Sequence, residues 1–352
     1  MSNSSPECRE YLFNNKASIT HPRTQAEMPG LKLLRTGDVM PQVGLGTWLA
    51  KPGEVEKCVA HTISKLEYLH IDGAWIYGNE DEVGTGIIDG CLAGKIPRER
   101  IWLTTKLWNN RHAPEDVEQQ CRDQMKTLKV DYLDLFLIHF PVAFVKDVTI
   151  ATLSTHVAQI DIRDTWKAME KLVDLGLVKN IGVSNFEINQ LQSILAMPDL
   201  KYQPQVNQLE CHPYYQQNDI VRFCQQRGIA ITAHSSLGGS ANVWASQHKF
   251  KLLEDPVVTQ VATELGKTNG QVLLRWALQR GFSVIPKSVN EGRLAENYNI
   301  FNFELSQSQF DAVNALDRGD NGKVCHPSTP WFGQALFQDE LDAMKQTGTT
   351  KL

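Results

Sequence analysis

Eight short apolar runs, separated by segments of helical spacing, constrain this chain more than any other feature. The runs are VGLG (43–46), LHID (69–72), IWLTTK (101–106), YLDLFLIH (132–139), NIGVS (180–184), QVNQ (205–208), IAITAH (229–234) and FSVIPK (282–287). Runs of this length, apolar on both faces, read as buried parallel strands. Between them lie apolar stripes at helical period: Val55, Cys58, Val59, Ile63 and Leu66; Val117, Cys121, Met125 and Leu128; Ile162, Trp166, Met169 and Val173; Ile188, Leu191 and Leu195; Val257, Val258, Val261 and Leu265. Pro114 followed by Glu115 and Asp116 suits a helix start, because proline tolerates the first turn and acids favour its positive end. Gly176 and Gly228 fall where helices should stop. Strand and helix alternating eight times predict an α/β chain closed into a parallel barrel.

An open doubly wound sheet would also alternate. It ranks lower because no strand runs into a dinucleotide fingerprint. Gly44-Leu45-Gly46-Thr47-Trp48 has Leu49 where GxGxxG requires its third glycine. A nucleotide, if bound, is not held in the Rossmann manner. Leu31 to Val43 reads as a hairpin turning at Thr36-Gly37-Asp38. Residues 1–29 form a polar arm without steady period. Residues 30–352 form the barrel unit, with 317–352 a loop rich in Gly, Pro and aromatics that crosses one rim.

The net charge of -5 argues against a protein that binds nucleic acid by neutralising phosphates. Seven cysteines without a CxxC pair fit reduced thiols in the cytoplasm. No apolar run approaches the ~20 residues that span a bilayer, and the N-terminus lacks the apolar core of a secretory signal. The ending Thr350-Lys351-Leu352 differs from a peroxisomal Ser-Lys-Leu at its first residue and is read as coincidence.

Asp72, Lys106 and His139 each end an apolar run, and Tyr77 follows Asp72 by a short turn. In a parallel barrel the strand ends on one rim converge, and chemistry sits there. A tyrosine there could protonate a carbonyl oxygen while a hydride arrives at the carbon. Free tyrosine has a pKa near ~10, and the Lys106 ammonium is expected to lower it. Asp72 would pair with Lys106 and offset the cost of burying it, and His139 would orient the substrate oxygen. Taken singly, each has a plainer reading: a half-buried tyrosine, a solvated lysine, a turn-capping aspartate, a core histidine.

GLGTW (44–48), HIDGAWIYGNEDEVG (70–84), TKLW (105–108), DYLDLFLIHFP (131–141), IGVSNF (181–186), VNQLECHPY (206–214) and IPKSVNEGRLAEN (285–297) together closely resemble the aldo-keto reductases, over about Leu31 to Asp317. The resemblance implies a (β/α)8 TIM barrel that binds NADPH without a Rossmann domain, with Asp72, Tyr77, Lys106 and His139 as catalytic tetrad. It also implies that Lys287, Ser288, Asn290 and Arg293 hold the adenosine 2'-phosphate, with Val289 between them, while Glu296 and Asn297 meet the adenine. Two fixed cations with neutral donors suit a phosphate monoester, so NADP(H) is favoured and NADH is expected to serve less well. Gly46, Thr47 and Trp48 are also expected to bind the cofactor. Ser184, Asn185 and Gln208 resemble the residues gripping the nicotinamide carboxamide, and Ser235 and Leu237 belong to the loop over the pyrophosphate. His234 stands where the family commonly has a stacking tyrosine, which leaves cofactor affinity and its pH dependence open.

Trp48, Trp108 and Phe140, with Trp331 or Phe332 from the tail, are expected to wall the substrate pocket and favour uncharged carbonyl compounds. Glu210-Cys211-His212 is spaced too tightly for a metal shell on one rigid strand, and no metal is expected. The expected function is NADPH-dependent reduction of aldehydes and ketones. A narrower aldose reductase of the xylose or glyceraldehyde type is one alternative. Ile76 stands where xylose reductases tend to have aspartate, which ranks short aldehydes above pentoses. A nucleotide-binding accessory protein is another alternative, since fold alone does not fix function. The expected partner is a small carbonyl compound, with no nucleic acid or membrane, and the protein a monomer or homodimer.

Overall fold

The computed structural model describes residues 30–33, 35–146, 157–239 and 251–325. The polar arm 1–29, most of the tail loop, and Trp331 and Phe332 lie outside the described residues. The predicted hairpin is present: β1 (Gly30–Lys32) pairs antiparallel with β2 (Val39–Pro41), and Gly37 takes a positive φ in the turn. The eight apolar runs become β3 (Gly44–Gly46), β4 (His70–Asp72), β5 (Trp102–Leu107), β6 (Leu133–Ile138), β7 (Val178–Ser184), β8 (Val206–Glu210), β9 (Ala230–His234) and β10 (Ser283–Val284). They pair in parallel in chain order. A parallel bridge from Val43 to Val284 and the Gly46 amide, 3.3 Å from the Pro286 carbonyl, join last strand to first. The barrel is closed.

Helices cover its outside: α1 (Val55–Leu66), α2 (Glu80–Gly94), α3 (Pro114–Leu128), α4 (Ile162–Asp174), α5 (Ile188–Leu195), α6 (Asn218–Gln225), α7 (Pro256–Leu265), α8 (Asn269–Gln279), α9 (Glu291–Tyr298) and α10 (Gln307–Asn314). The five predicted stripes are the buried faces of α1, α3, α4, α5 and α7. Pro114 opens α3, and Gly176 and Gly228 take positive φ just past α4 and α6. Among the described residues no helix is long and apolar enough to cross a membrane.

Strand alternation sorts side chains between inside and outside. Leu103, Leu107, Phe136 and Ile138 join the large core between strands and helices. Trp102, Leu135, Leu137 and Val206 form a second cluster inside the barrel, capped from below by Leu33 and Met40 of the hairpin. A third cluster, Trp108, Phe140 and Phe144, lies past the C-terminal ends of β5 and β6. The same alternation that turns Trp102 and Leu137 inward also turns Lys106 and His139 inward, one layer below the mouth.

Candidate active site

Lys106 is the centre of the site. Its side chain is fully buried, and its Nζ donates to Asp72 Oδ1 at 2.6 Å, to the Gly73 carbonyl at 2.9 Å and to the Tyr77 hydroxyl at 3.4 Å. Burial alone would lower its pKa, but the Asp72 carboxylate and the hydrogen bonds to Asp72 and Tyr77 overcome that and raise it, so it stays an ammonium. The second Asp72 oxygen accepts from Gln208 Nε2 at 2.7 Å, across the barrel from β8. Gln208, expected at the cofactor carboxamide, therefore gives its amide nitrogen to the tetrad.

Tyr77 ends a single 3-10 turn (Trp75–Tyr77) closed by Gly78 at φ 68. The ring packs 4.9 Å from Trp48 and 5.9 Å from His139. Its pKa departs from the sequence expectation. Burial raises it above the ordinary tyrosine value and outweighs the lowering by Lys106, while Asp72 adds to the rise. The expectation counted the cation but not the loss of water around the ring. Tyr77 consequently keeps its proton through neutral pH.

His139 follows β6. Burial, then Lys106, His234 and His112, hold its pKa well below the usual histidine range, so the ring is neutral. Nδ1 is buried and has no hydrogen-bond partner among the described residues. Phe140 stacks on it at 5.0 Å and Trp108 meets it edge-on at 5.2 Å.

Asp72, Tyr77 and His139 line a cavity of about 200 Å³, whose lining does not include the fully buried Lys106. Gly46, Thr47 and Trp48 line it after β3, and Trp108, His139 and Phe140 after β5 and β6. Ser184, Asn185, Gln208, His234, Ser235, Leu237 and Lys287 complete most of the remaining wall. Gly46 has a steric reason: a Cβ there would lie 2.6 Å from the Ile285 carbonyl, so only glycine lets β3 approach the closing strand. Thr47 donates to the Asp72 carbonyl at 3.0 Å.

His234 Nε2 lies 3.0 Å from Asn185 Oδ1 and Nδ1 lies 3.1 Å from the Ser235 hydroxyl. Asn185, left-handed at φ 62, donates from Nδ2 to the His139 carbonyl at 3.0 Å and to the Ser184 hydroxyl at 3.1 Å. Ser184 donates in turn to the Gln208 carbonyl. Burial pushes the His234 pKa down to about 4. The ring at this position is therefore neutral at neutral pH.

Of the expected phosphate and adenine residues only Lys287 lines this cavity; Ser288, Val289, Asn290, Arg293, Glu296 and Asn297 run on from it into α9. Two of them also serve the chain itself. Asn290 caps α9, its Oδ1 accepting from the Arg293 amide at 3.0 Å, and Ser288 accepts from the Asn290 amide at 3.1 Å. A strand-to-helix turn needs such a cap, and the spacing that suits a phosphate suits the cap as well. Arg293 and Glu296 are exposed, and Asn297 is buried.

Cys325, a lining residue that arrives from the C-terminal segment, carried no sequence signal; Ile285 and Pro286, which belong to the last apolar run, were not singled out as lining. Glu210 brings that segment in: its buried carboxylate accepts from the Val324 and Cys325 amides at 2.6 and 2.7 Å, and from His212 Nε2 at 3.0 Å. Burial opposes its charge, yet His212, His234 and the Val324 amide bring its pKa to about 2. The Glu210-Cys211-His212 run is a structural clamp.

A protonated tyrosine beside a buried ammonium, under an aromatic mouth on the C-terminal rim of a barrel, is the arrangement of a barrel enzyme with acid-base groups at its strand ends. Residues 42–318 match the Aldo/keto reductase family. Aldo-keto reductase family 1 member A1 from Homo sapiens is 43% identical over 296 residues, 81% of this chain and 89% of that protein. Aldo-keto reductase family 1 member A1-A from Danio rerio is 42% identical over 316 residues, 87% and 94% of the two chains. The aldose reductase from Schistosoma japonicum superposes with a TM-score of 0.80 at 35% identity, covering 89% of this chain and all of that one. The chain belongs to the aldo/keto reductase family and is an oxidoreductase of carbonyl compounds.

Proposed function

We propose that this enzyme reduces aldehydes and ketones to alcohols with NADPH, Tyr77 giving the proton to the carbonyl oxygen. The observation that carries the reading is the Lys106 ammonium, buried between Asp72 Oδ1 at 2.6 Å and the Tyr77 hydroxyl at 3.4 Å. Tyr77 holds its proton until it is needed, and Lys106 stabilises the phenolate left behind. Asp72, held by Gln208 from across the barrel, fixes Lys106. Neutral His139, facing the same cavity, orients the carbonyl oxygen toward Tyr77.

The residues present fit the nicotinamide cofactor. Ser184, Asn185, Gln208 and His234 offer an amide-rich wall beside the tetrad. Lys287, Arg293 and the N-terminus of α9 offer positive charge for a phosphate monoester. When bound, the reduced cofactor supplies a hydride to the carbonyl carbon; with the Tyr77 proton on oxygen, the product is an alcohol.

Ile76, Trp48, Trp108 and Phe140 give the substrate side an apolar wall. That favours short or aromatic uncharged aldehydes over pentoses. NADPH consumption measured with glyceraldehyde, a nitrobenzaldehyde, xylose and glucuronate, with NADH in parallel, tests both parts. Tight NADPH binding without turnover on any of them would count against the enzyme reading and for an accessory protein. Arg293→Ala is expected to weaken NADPH binding by about 10- to 100-fold, the size of a lost charge-assisted hydrogen bond, and to leave NADH binding within about twofold. Fluorescence titration of both nucleotides decides it; equal losses would remove Arg293 from the phosphate site.

A further inference from the structure

Glu80 is a buried carboxyl that the mechanism above does not use. It is 5% exposed, at the first position of α2, three residues past Tyr77. Its Oε1 accepts from Thr105 Oγ1 at 2.5 Å and from Gln124 Nε2 at 2.8 Å. Gln124, on α3, also donates to Thr105 Oγ1 at 3.0 Å and to the Lys106 carbonyl at 3.3 Å. Thr105 points out of the barrel, away from the cavity, while Lys106 points in. Glu80 thus holds the outer side of the strand segment whose inner side carries the ammonium. Its neighbour Asn79 donates to the Thr47 carbonyl at 2.9 Å, pinning the same turn to the end of β3.

We propose that Glu80 is a positioning residue for proton transfer: with Thr105 and Gln124 it sets the Lys106 ammonium against the Tyr77 hydroxyl, fixing the strand that carries one and the turn that carries the other. The inference rests on Tyr77 being the proton donor. An apolar side chain would fill this space at lower desolvation cost, so a buried carboxyl here is better explained by geometry than by stability.

Burial pushes the Glu80 pKa up to about 7, against hydrogen bonds from Thr105 and Gln124 and the charge of Lys106. The other titratable groups around it are silent near that pH or turned away. The Cys121 thiol of α3 is raised to about 12. Asp81 and Glu82 point outward, to Lys129 and to the Gly53 amide. Helix α1 meets α2 through Val59, Ala60, Ile63 and Ser64 and through the backbone carbonyl of Glu56. Above about pH 7 the hydrogen bonds to Glu80 are charge-assisted and stronger; below it Glu80 is a neutral acid close to glutamine in shape.

The test compares kcat, KM and NADPH affinity of wild type and Glu80→Gln across that range. The expected result is a kcat about tenfold lower for Glu80→Gln above about pH 8, converging on wild type below about pH 6, with KM and NADPH affinity within about twofold throughout. The variant should also melt higher than wild type at high pH, since it no longer buries a charge. Unchanged kcat at high pH, a loss constant with pH, or a rise in KM and a fall in NADPH affinity accompanying the loss of kcat would each overturn the proposal. Should Glu80→Gln fail to fold, Thr105→Val is expected to reproduce the kcat loss and Thr105→Ser to restore activity; equal kcat in both would overturn it too. A Tyr77→Phe protein that still turns over would bring down the proton-donor reading and this inference with it. A dead Tyr77→Phe beside a Glu80→Gln with unchanged kcat brings down this inference alone.

Discussion

Tyr77→Phe is expected to lower kcat for aldehyde reduction by about a thousandfold, within the range a positioned general acid contributes. NADPH affinity should stay within about twofold, because the hydroxyl faces Lys106 and the ring remains to pack on Trp48 at 4.9 Å. Two properties of the site set the size of the effect. The hydroxyl is the group beside Lys106 that holds a transferable proton, since burial keeps Tyr77 protonated. His139 cannot replace it readily: its pKa lies well below the usual range, so near pH 7 it carries no extra proton. Pre-steady-state measurement of NADPH consumption, with binding followed separately by fluorescence, isolates the step. A wild-type rate would dismiss Tyr77 as the acid.

Lys106→Met is expected to damage activity and stability together. Turnover should fall by about a hundredfold or more, because the phenolate loses the charge that stabilises it. Stability should fall by about 3–5 kcal/mol, the cost of leaving a buried charge without its partner. Asp72 is 1% exposed, so the charge left behind has no access to solvent. The two effects separate in a double variant. Lys106→Met with Asp72→Asn removes the orphaned charge and should recover most of the lost stability while turnover stays low. Urea midpoints and kcat on the three proteins measure this. Recovery of turnover in the double variant would mean Lys106 acts only by neutralising Asp72.

The barrel was legible because its strands are short, apolar on both faces and punctuated. Helix α2 was not, for a steric reason. Its contact face carries Gly86 and Gly90 in place of large apolar residues, where a Cβ would lie 2.6 Å from the Glu56 carbonyl and 2.8 Å from Ile63. Helices pressed together that tightly are marked by small residues, and a search for apolar stripes passes over them. The meeting of Asp72, Lys106 and His139 with Tyr77 was legible from three titratable residues that end apolar runs and a tyrosine one turn beyond the first, but the net effect on Tyr77 was not, because burial must be known before its weight against Lys106 can be judged. Glu80 was hidden differently. It heads Glu80-Asp81-Glu82 in the first turn of a helix, where acids are expected for the helix dipole, and nothing in the spacing says that one of the three is buried. The Glu210 clamp joins residues more than a hundred positions apart, and only the folded chain reveals it.

The parallel bridge from Val43 to Val284 also governs how the protein is made. Beside that seam, Gln42 donates to the carbonyl of Phe282, 240 residues further along the chain. Contacts of such long sequence separation form late and slow folding. Until the last strand emerges from the ribosome, β3 and β9 are open edges with unpaired amides and carbonyls, the surfaces through which incomplete sheets aggregate. The closure that gathers these side chains onto one rim therefore leaves a nascent chain of this enzyme with two unpaired sheet edges until its eighth barrel strand is translated.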